Sequence, residues 1–170
     1  GGFHHDFKRL HNGRYMVLEQ EPVTRAVPGQ DEPLTYNYDS IVEYDERGEV
    51  TWAWHARDYV SDVDLFSGRG RGMHMNCFDV DPDGRFVLGG FRDLSRIVKI
   101  DRKRRKVVDS WGQRFPSGEA RAGDDFFRSQ HDCLLLDDGS ILVFNNNDAR
   151  DREAPSGLVL FDPGSRGRGA

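Results

Sequence analysis

Three histidines at recurring places are the side chains of this sequence best suited to chemistry. His5, His74 and His131 each open a short run, and the glycine of an Asn-Gly or Asp-Gly pair follows them after 8, 10 and 8 residues. An imidazole has an ordinary pKa of about 6.5, so it can attack an electrophile, hold an anion or exchange a proton around neutral pH. Three histidines in register therefore predict a functional cluster.

Strand geometry predicts which neighbours of these histidines reach the same site. Side chains alternate along a strand, so residues i and i+2 share a face. Asn76 is therefore expected to join His74 on one face and to take part in the site. His4 is expected to point away from His5.

Arg92 adds a fixed positive charge to the predicted cluster. Two glycines precede the Phe-Arg pair, and glycine in a strand allows another group to approach the backbone closely. The planar guanidinium matches the oxygens of a carboxylate, phosphate or sulfate, which predicts an anion site. The structural alternative is a salt bridge with Asp93 or with a neighbouring repeat. Asp6 and Asp132 could balance a metal bound by the histidines, but the adjacent arginine weighs against this, and no metal ligand is assigned.

The histidines belong to a unit that occurs three times in the chain. Each copy contains short runs rich in Val, Ile, Tyr and Phe, separated by Asn-Gly or Asp-Gly pairs that favour tight hairpin turns. The second hairpins begin at Ile41, Ile97 and Leu158, which are 56 and 61 residues apart. This period, with about four strands per unit, predicts an all-β fold, a β-propeller with long loops. Equivalent strands converge on the propeller axis, so the three imidazoles are expected to meet.

The whole chain, 1–170, is expected to be one partial propeller domain of about three blades. A closed ring typically has about 4–8 blades, so the domain is expected to be truncated at both ends. Segments 19–40 and 55–72 contain prolines or a Gly/Arg run and are predicted to be loops. The basic run 102–106 lies between two apolar runs and is predicted to be a turn. The approximate repeats are 5–73, 74–130 and 131–170.

Composition excludes several classes of protein. The net charge of −5 and the pI near 5.7 argue against nucleic-acid binding, which needs a basic face. No run reaches the length of about 18 apolar residues that a bilayer requires, so no membrane-spanning segment is expected. Cys77 and Cys133 form neither a Cys-x-x-Cys pair nor a zinc pattern, and both are expected to be buried thiols.

Four segments, by their order and spacing, resemble those of a known family. They are His5-Asp6-Phe7 with Asn12-Gly13, His74-Met75-Asn76, Phe91-Arg92-Asp93-Leu94-Ser95-Arg96-Ile97-Val98-Lys99-Ile100-Asp101, and Phe127-Arg128-Ser129-Gln130-His131-Asp132 with the following Asp138 to Asn146. These segments are similar to the arylsulfotransferase (ASST) family, and the resemblance extends over nearly the whole chain. Its most specific parts are the Gln-His-Asp and Arg-x-Leu-Ser-x-Ile-x-Lys-Ile-Asp segments.

The resemblance implies a six-bladed propeller that transfers a sulfuryl group from a phenolic sulfate ester to a phenol, independently of the nucleotide donor PAPS. It implies a ping-pong mechanism through a sulfohistidine, with His131 as the nucleophile. His5, His74 and Arg92 would hold the sulfuryl oxygens, and Asn76 would support them. Either His5 or His74 would handle the phenolic proton, and the sequence leaves this choice open.

The resemblance also implies the partners and the compartment. The partners would be a small-molecule aryl sulfate donor and a phenolic acceptor, with no cofactor and no nucleic acid, in a periplasmic or extracellular location. Two alternatives stay open. One is a non-catalytic propeller that binds an anionic ligand or a protein partner in the same basic pocket. The other is a metal-dependent hydrolase or lyase whose metal is held by the three histidines.

Overall fold

The structure, a computed structural model, describes residues 2–67, 73–113, 127–147 and 155–164. Within these residues the chain forms three antiparallel sheets, which follow one another along the sequence. No helix in the described ranges is long and apolar enough to cross a membrane.

Strands pair with their neighbours in chain order within each sheet. The first sheet consists of β1 (Gly2–Arg9), β2 (Tyr15–Arg25), β3 (Leu34–Tyr44) and β4 (Val50–His55). The second consists of β5 (Met75–Val80), β6 (Phe86–Phe91), β7 (Arg96–Asp101) and β8 (Lys106–Gly112). The third consists of β9 (His131–Leu135), β10 (Ile141–Asn145) and β11 (Gly157–Phe161). This succession of sheets confirms the predicted all-β class and is the architecture of part of a β-propeller.

Glycines in left-handed conformation close the hairpins that the sequence predicts. Gly13, Gly84 and Gly139 have φ angles of +83°, +66° and +85°, a region that glycine enters without the steric cost met by other residues. Most of the basic run 102–106 forms the turn between β7 and β8, as predicted, and its last residue, Lys106, begins β8.

The long hairpin of β2 and β3 corrects the prediction that segment 19–40 is a loop. The two strands pair along their full length, so only the residues between Arg25 and Leu34 connect them. Pro22 suggested a loop, but it pairs with Asn37 of β3 within this hairpin. Among the described residues, β1 pairs with β2 only as far as Gln20, so the missing N–H of Pro22 interrupts no pairing with β1.

The connection between the first two sheets also contains regular structure that was predicted as loop. A 3-10 helix, Ala56–Asp58, and the helix α1, Asp62–Ser67, lie within the predicted loop 55–72. The end of that loop, residues 68–72, lies outside the described residues. Both helices are too short to show the apolar periodicity by which helices are recognised in a sequence.

Apolar faces of successive sheets meet in two buried clusters. The cluster between the first and second sheets includes Met16, Leu18, Trp54, Phe78 and Phe91. The cluster between the second and third sheets includes Leu88, Ile97, Trp111, Phe127 and Val143. This packing places β1 beside β5 and β5 beside β9. We call these three the inner strands, and the candidate site lies where they begin.

Cys77 and Cys133 are buried as predicted, but they form a disulfide, so the expectation of free thiols is wrong. They occupy corresponding places on β5 and β9, and their Cα atoms are 5.8 Å apart, a separation that a disulfide can span. A Cβ atom at Gly90 would overlap the sulfur of Cys77. The close approach predicted for the Gly-Gly pair is therefore an approach to this disulfide.

Candidate active site

A β-bulge near the start of each inner strand shapes the site. The pairing of β1 with β2 shifts between His4 and Phe7, and that of β5 with β6 shifts between Met75 and Cys77. The pairing of β9 with β10 shifts in the same way, next to His131. Bulges break the alternation of side chains along a strand and re-aim them.

Left-handed backbone accompanies these bulges. His5, His74 and Asp132 have φ angles of +57°, +50° and +58°, and residues in this region cost about 1–3 kcal/mol of strain, which tends to be retained at functional sites. Because the bulge turns His5, its Nδ1 lies 2.8 Å from Nδ1 of His4. The prediction that His4 points away from His5 is therefore wrong, because strict alternation does not hold at a bulge.

The three predicted histidines do not occupy the same position of their strands. His131 is the first residue of β9, His74 immediately precedes β5, and His5 lies within β1. By strand pairing, Met75 rather than His74 corresponds to His131. The expected register is thus offset by one residue at His74, yet the structure still brings its ring to that of His5, with centroids 4.8 Å apart.

A continuous row of polar contacts joins three imidazoles to a carboxylate at one end and a guanidinium at the other. His4 Nε2 lies 3.2 Å from Asp39 Oδ1, and the Nδ1 atoms of His4 and His5 are 2.8 Å apart. His5 Nε2 lies 3.2 Å from His74 Nε2. That nitrogen of His74 is also 3.3 Å from Nη1 of Arg92. We call this row, from Asp39 to Arg92, the imidazole chain.

Asp39 on β3 anchors the buried end of the imidazole chain. Its side chain is 0% exposed, its Oδ2 accepts the backbone N–H of Met75 at 2.7 Å, and its Oδ1 accepts a hydrogen bond from Gln20 at 3.2 Å. Nothing in the sequence singled this residue out. In an alternating strand, an aspartate directly after a core residue such as Tyr38 is expected to face solvent.

Arg92 closes the other end of the imidazole chain. Its backbone N–H donates to the carbonyl of His74 at 3.0 Å, which fixes the two residues relative to each other. Its Nε lies 3.3 Å from Asp93 Oδ1, and its side chain is 39% exposed. The salt bridge with Asp93 therefore forms, and the guanidinium also faces the imidazoles and stays open to an anion.

Burial and neighbouring positive charge lower the pKa values of His5 and His74 and so favour their neutral forms. Burial lowers the pKa of His5, and His74 is the next largest influence in the same direction. Burial also lowers the pKa of His74, followed by the positive charge of Arg92. A protonated His131 would lower both pKa values, so its imidazole lies within electrostatic reach of the other two.

The side-chain amide of Asn146 holds the ring of His131. The Asn146 side-chain amide contacts Nδ1 of His131 and also donates to the carbonyl of Ser129 at 2.7 Å. One amide thus links the imidazole to the backbone that precedes it and fixes the orientation of the ring. Asn146 was part of the segment that resembles the family, but no role was predicted for it.

Asn76 and Gln130 fix the backbone that leads into His131. Asn76 is 7% exposed, and its Nδ2 donates to the carbonyl of Gln130 at 2.9 Å. Gln130 is fully buried, and its Nε2 donates to the carbonyls of Phe91 and Arg96 at 3.1 and 3.0 Å. The structure therefore places Asn76 behind His131, bonded to its neighbour's backbone, rather than beside the imidazoles of the chain.

This arrangement suits an oxyanion. A half-exposed guanidinium lies next to imidazole nitrogens, and such donors favour sulfate-like oxygens. His131 supplies a further imidazole that can act as a nucleophile. Across the described ranges, no three His, Cys, Asp or Glu side chains are grouped so as to hold a metal ion.

The family comparison agrees with this geometry. The profile described as Arylsulfotransferase (ASST) matches residues 1–166, nearly the entire chain. The chain therefore belongs to the arylsulfotransferase family, as the sequence segments predicted. Among curated proteins, none matches the chain. Membership of the family supports an arylsulfotransferase-type function with small aryl substrates.

Proposed function

We propose that this protein is an aryl sulfate sulfotransferase that passes a sulfuryl group from a phenolic sulfate ester to a phenol through His131. The observation that carries the proposal is the contact of His74 with both His5 and Arg92 where the inner strands begin, with His131 at the start of the adjacent inner strand β9. The positive guanidinium supports binding of the sulfuryl oxygens, and the imidazoles supply groups for attack and proton transfer.

The reaction takes place in two displacements. In the first, a ring nitrogen of His131 attacks sulfur, the S–O bond to the donor breaks, and the phenolate departs with the bonding electrons. In the second, the acceptor oxygen attacks sulfur, the N–S bond breaks, and the phenolic proton passes to a base of the site. Arg92 lowers the barrier of both steps because it faces the oxygens on which negative charge accumulates.

The disulfide supports the compartment implied by the family. Disulfides such as Cys77–Cys133 persist mainly in oxidising surroundings. A periplasmic or extracellular location is therefore part of the proposal.

A burst experiment with the full protein tests the transferase. With an aryl sulfate and no acceptor, phenol release is expected to show a burst of about one equivalent, with a mass increase of about 80 Da that a phenol then removes. His131→Ala should abolish the burst, whereas His11→Ala, in the exposed turn after β1, should keep it. Binding of the aryl sulfate without burst or adduct, in folded protein, would instead favour the non-catalytic alternative.

A further inference from the structure

The imidazole chain lies between a carboxylate and a guanidinium, and these two charges limit where its protons can be. At one end, His4 Nε2 lies 3.2 Å from Asp39 Oδ1 without the alignment of a hydrogen bond, and the negative charge of the buried carboxylate favours a proton on this nitrogen. His4 Nδ1 is then an acceptor, and His5 must donate to it from its own Nδ1 at 2.8 Å. The remaining nitrogen of His5, Nε2, is left with a lone pair.

The guanidinium end of the chain determines the role of the His74 nitrogen that faces His5 Nε2. The guanidinium of Arg92 can only donate, so His74 Nε2, 3.3 Å away, accepts from it. His5 Nε2 and His74 Nε2 therefore present lone pairs to each other across 3.2 Å. With all imidazoles neutral, the chain is one proton short, and a single added proton between these two nitrogens satisfies every contact.

We propose that this nitrogen pair is the base that receives the proton of the phenolic acceptor, and that Asp39 and His4 are positioning residues that keep His5 in its accepting tautomer. The inference rests on the proposed transferase function and extends it to residues outside the family-derived site. In the acceptor step the phenol O–H bond breaks, its proton bonds to His5 Nε2 and is shared with His74 Nε2. The phenolic oxygen forms its bond to sulfur as the N–S bond to His131 breaks.

Charges of both signs face this nitrogen pair. Asp39 favours protonation of both rings, and Asp93 favours that of His74. Burial opposes protonation of both rings most strongly, followed by His74, His4 and His131 for His5, and by Arg92 and His131 for His74.

An isosteric change at Asp39 reverses the proton arrangement. In Asp39→Asn the amide oxygen can still accept the N–H of Met75, and the Gln20 side chain must turn its oxygen toward the new amide nitrogen. The negative charge is lost, and the amide N–H beside His4 Nε2 disfavours a proton on that nitrogen. The proton of His4 then moves to Nδ1 and donates to His5, whose own proton moves to Nε2 and donates to His74. A proton then already lies between His5 Nε2 and His74 Nε2, so this nitrogen pair can no longer accept one.

The test follows the discharge of preformed sulfuryl adduct by phenols of graded acidity. For weakly acidic phenols, Asp39→Asn is expected to slow discharge about 10²-fold or more, the usual range of general base catalysis. For phenols already ionised at the assay pH, the change is expected to stay within about threefold, because no proton has to be removed. A uniform loss across all phenols, as from a merely structural role, would overturn the inference.

Asp79→Asn is the matched control. Asp79 also accepts a backbone N–H of the next inner strand, that of Leu135 at 2.8 Å, but its other oxygen contacts Lys8 and the backbone N–H of Val80 rather than an imidazole. It should not change the dependence on phenol acidity. If Asp39→Asn does not fold, His4→Gln removes the same link and should give the same selective loss.

A second readout does not depend on activity. Nitrogen-15 NMR of the imidazoles reports which ring nitrogen carries the proton. His5 is expected to carry it on Nδ1 in the wild type and on Nε2 in Asp39→Asn. A wild-type His5 protonated on Nε2 would overturn the inference, whether or not an adduct forms. Failure of the wild type to form an adduct, with the expected tautomer present, would instead count against the transferase.

Discussion

The imidazole of the third sheet and those of the first two sheets lie in contrasting surroundings. His131 is oriented by neutral amides, with Asn146 at its ring and Asn76 behind its backbone. His5 and His74 belong to a chain that ends in a buried carboxylate and a guanidinium. The amide of Asn146 orients the ring of His131 without adding a charge, whereas His5 and His74 belong to a chain that lies between a negative and a positive charge. The first setting suits a nucleophile and the second suits a base.

The same local feature, a β-bulge, shapes the surroundings of His131 and those of His5 and His74. A bulge at the start of each inner strand releases the side chains from alternation. What differs is the neighbour that each bulge meets. The bulge of β1 lies near Asp39 of its own sheet, while that of β9 lies near the amide of Asn146.

The largest expected effect comes from removal of the nucleophile. His131→Ala should lower kcat/KM by about 10³-fold or more and abolish the covalent intermediate, because the two-step route is lost. His5→Ala should retain a detectable adduct while slowing its discharge. Single-turnover mass spectrometry distinguishes the two variants. An adduct in His131→Ala that is missing in His5→Ala would reverse the roles assigned to the two settings.

Removal of the positive end of the chain should have the next largest effect. Arg92→Leu is expected to lower kcat/KM by about 10²–10³-fold, the cost of losing a donor aimed at developing negative charge. Arg92→Lys should recover part of this loss, since an ammonium keeps the charge but not the planar fork. Both are measured as adduct formation in a single turnover, with thermal melting as the control for folding. Equal activity of the leucine variant and wild type would contradict the role of Arg92.

Loss of the amide that orients His131 should be milder. Asn146→Ala is expected to slow adduct formation by about 10–100-fold, as for other residues that orient a reacting imidazole. Discharge by an ionised phenol should fall in parallel, because both displacements use the same ring. A matched substitution is Asn12→Ala, in the turn after β1, which should leave both rates unchanged. If only the rate of discharge fell, Asn146 would act with the imidazole chain instead.

The smallest effect is on stability, through the lowered pKa values of His5 and His74. When the folded pKa of a histidine is depressed, the unfolded chain binds protons first as pH falls, so the free energy of unfolding decreases below about pH 6.5. Above that pH these two residues contribute no pH dependence. Melting temperatures across this range check the sign, and His5→Gln with His74→Gln should flatten the curve. A melting temperature that rises on acidification would show that protonation stabilises the fold.

Residue type and spacing predicted His5, His74, His131 and Arg92 as site residues. The repeated hairpin pattern gave the all-β class because Asn-Gly and Asp-Gly turns are local signals. The structure brings His5, His74 and Arg92 into direct contact, even though the register of His74 is offset.

Features that depend on strand pairing could not be predicted. The bulge that turns His5 toward His4 exists only relative to β2, and the sequence of β1 alone predicts alternation. Asp39 follows a core tyrosine, so its burial depends on the neighbouring sheet. The disulfide joins cysteines 56 residues apart, whose proximity follows from the packing of β5 beside β9.

The most direct test of this account is to determine which of the six histidines carries the sulfuryl group. The full protein is treated with an aryl sulfate without acceptor, digested, and each histidine peptide is examined for a mass increase of about 80 Da, the mark of a covalent intermediate. The adduct is predicted on His131 alone, and an acceptor phenol should remove it. An adduct on His5 or His74, or turnover without any adduct, would contradict the assignment of the amide-held imidazole as nucleophile.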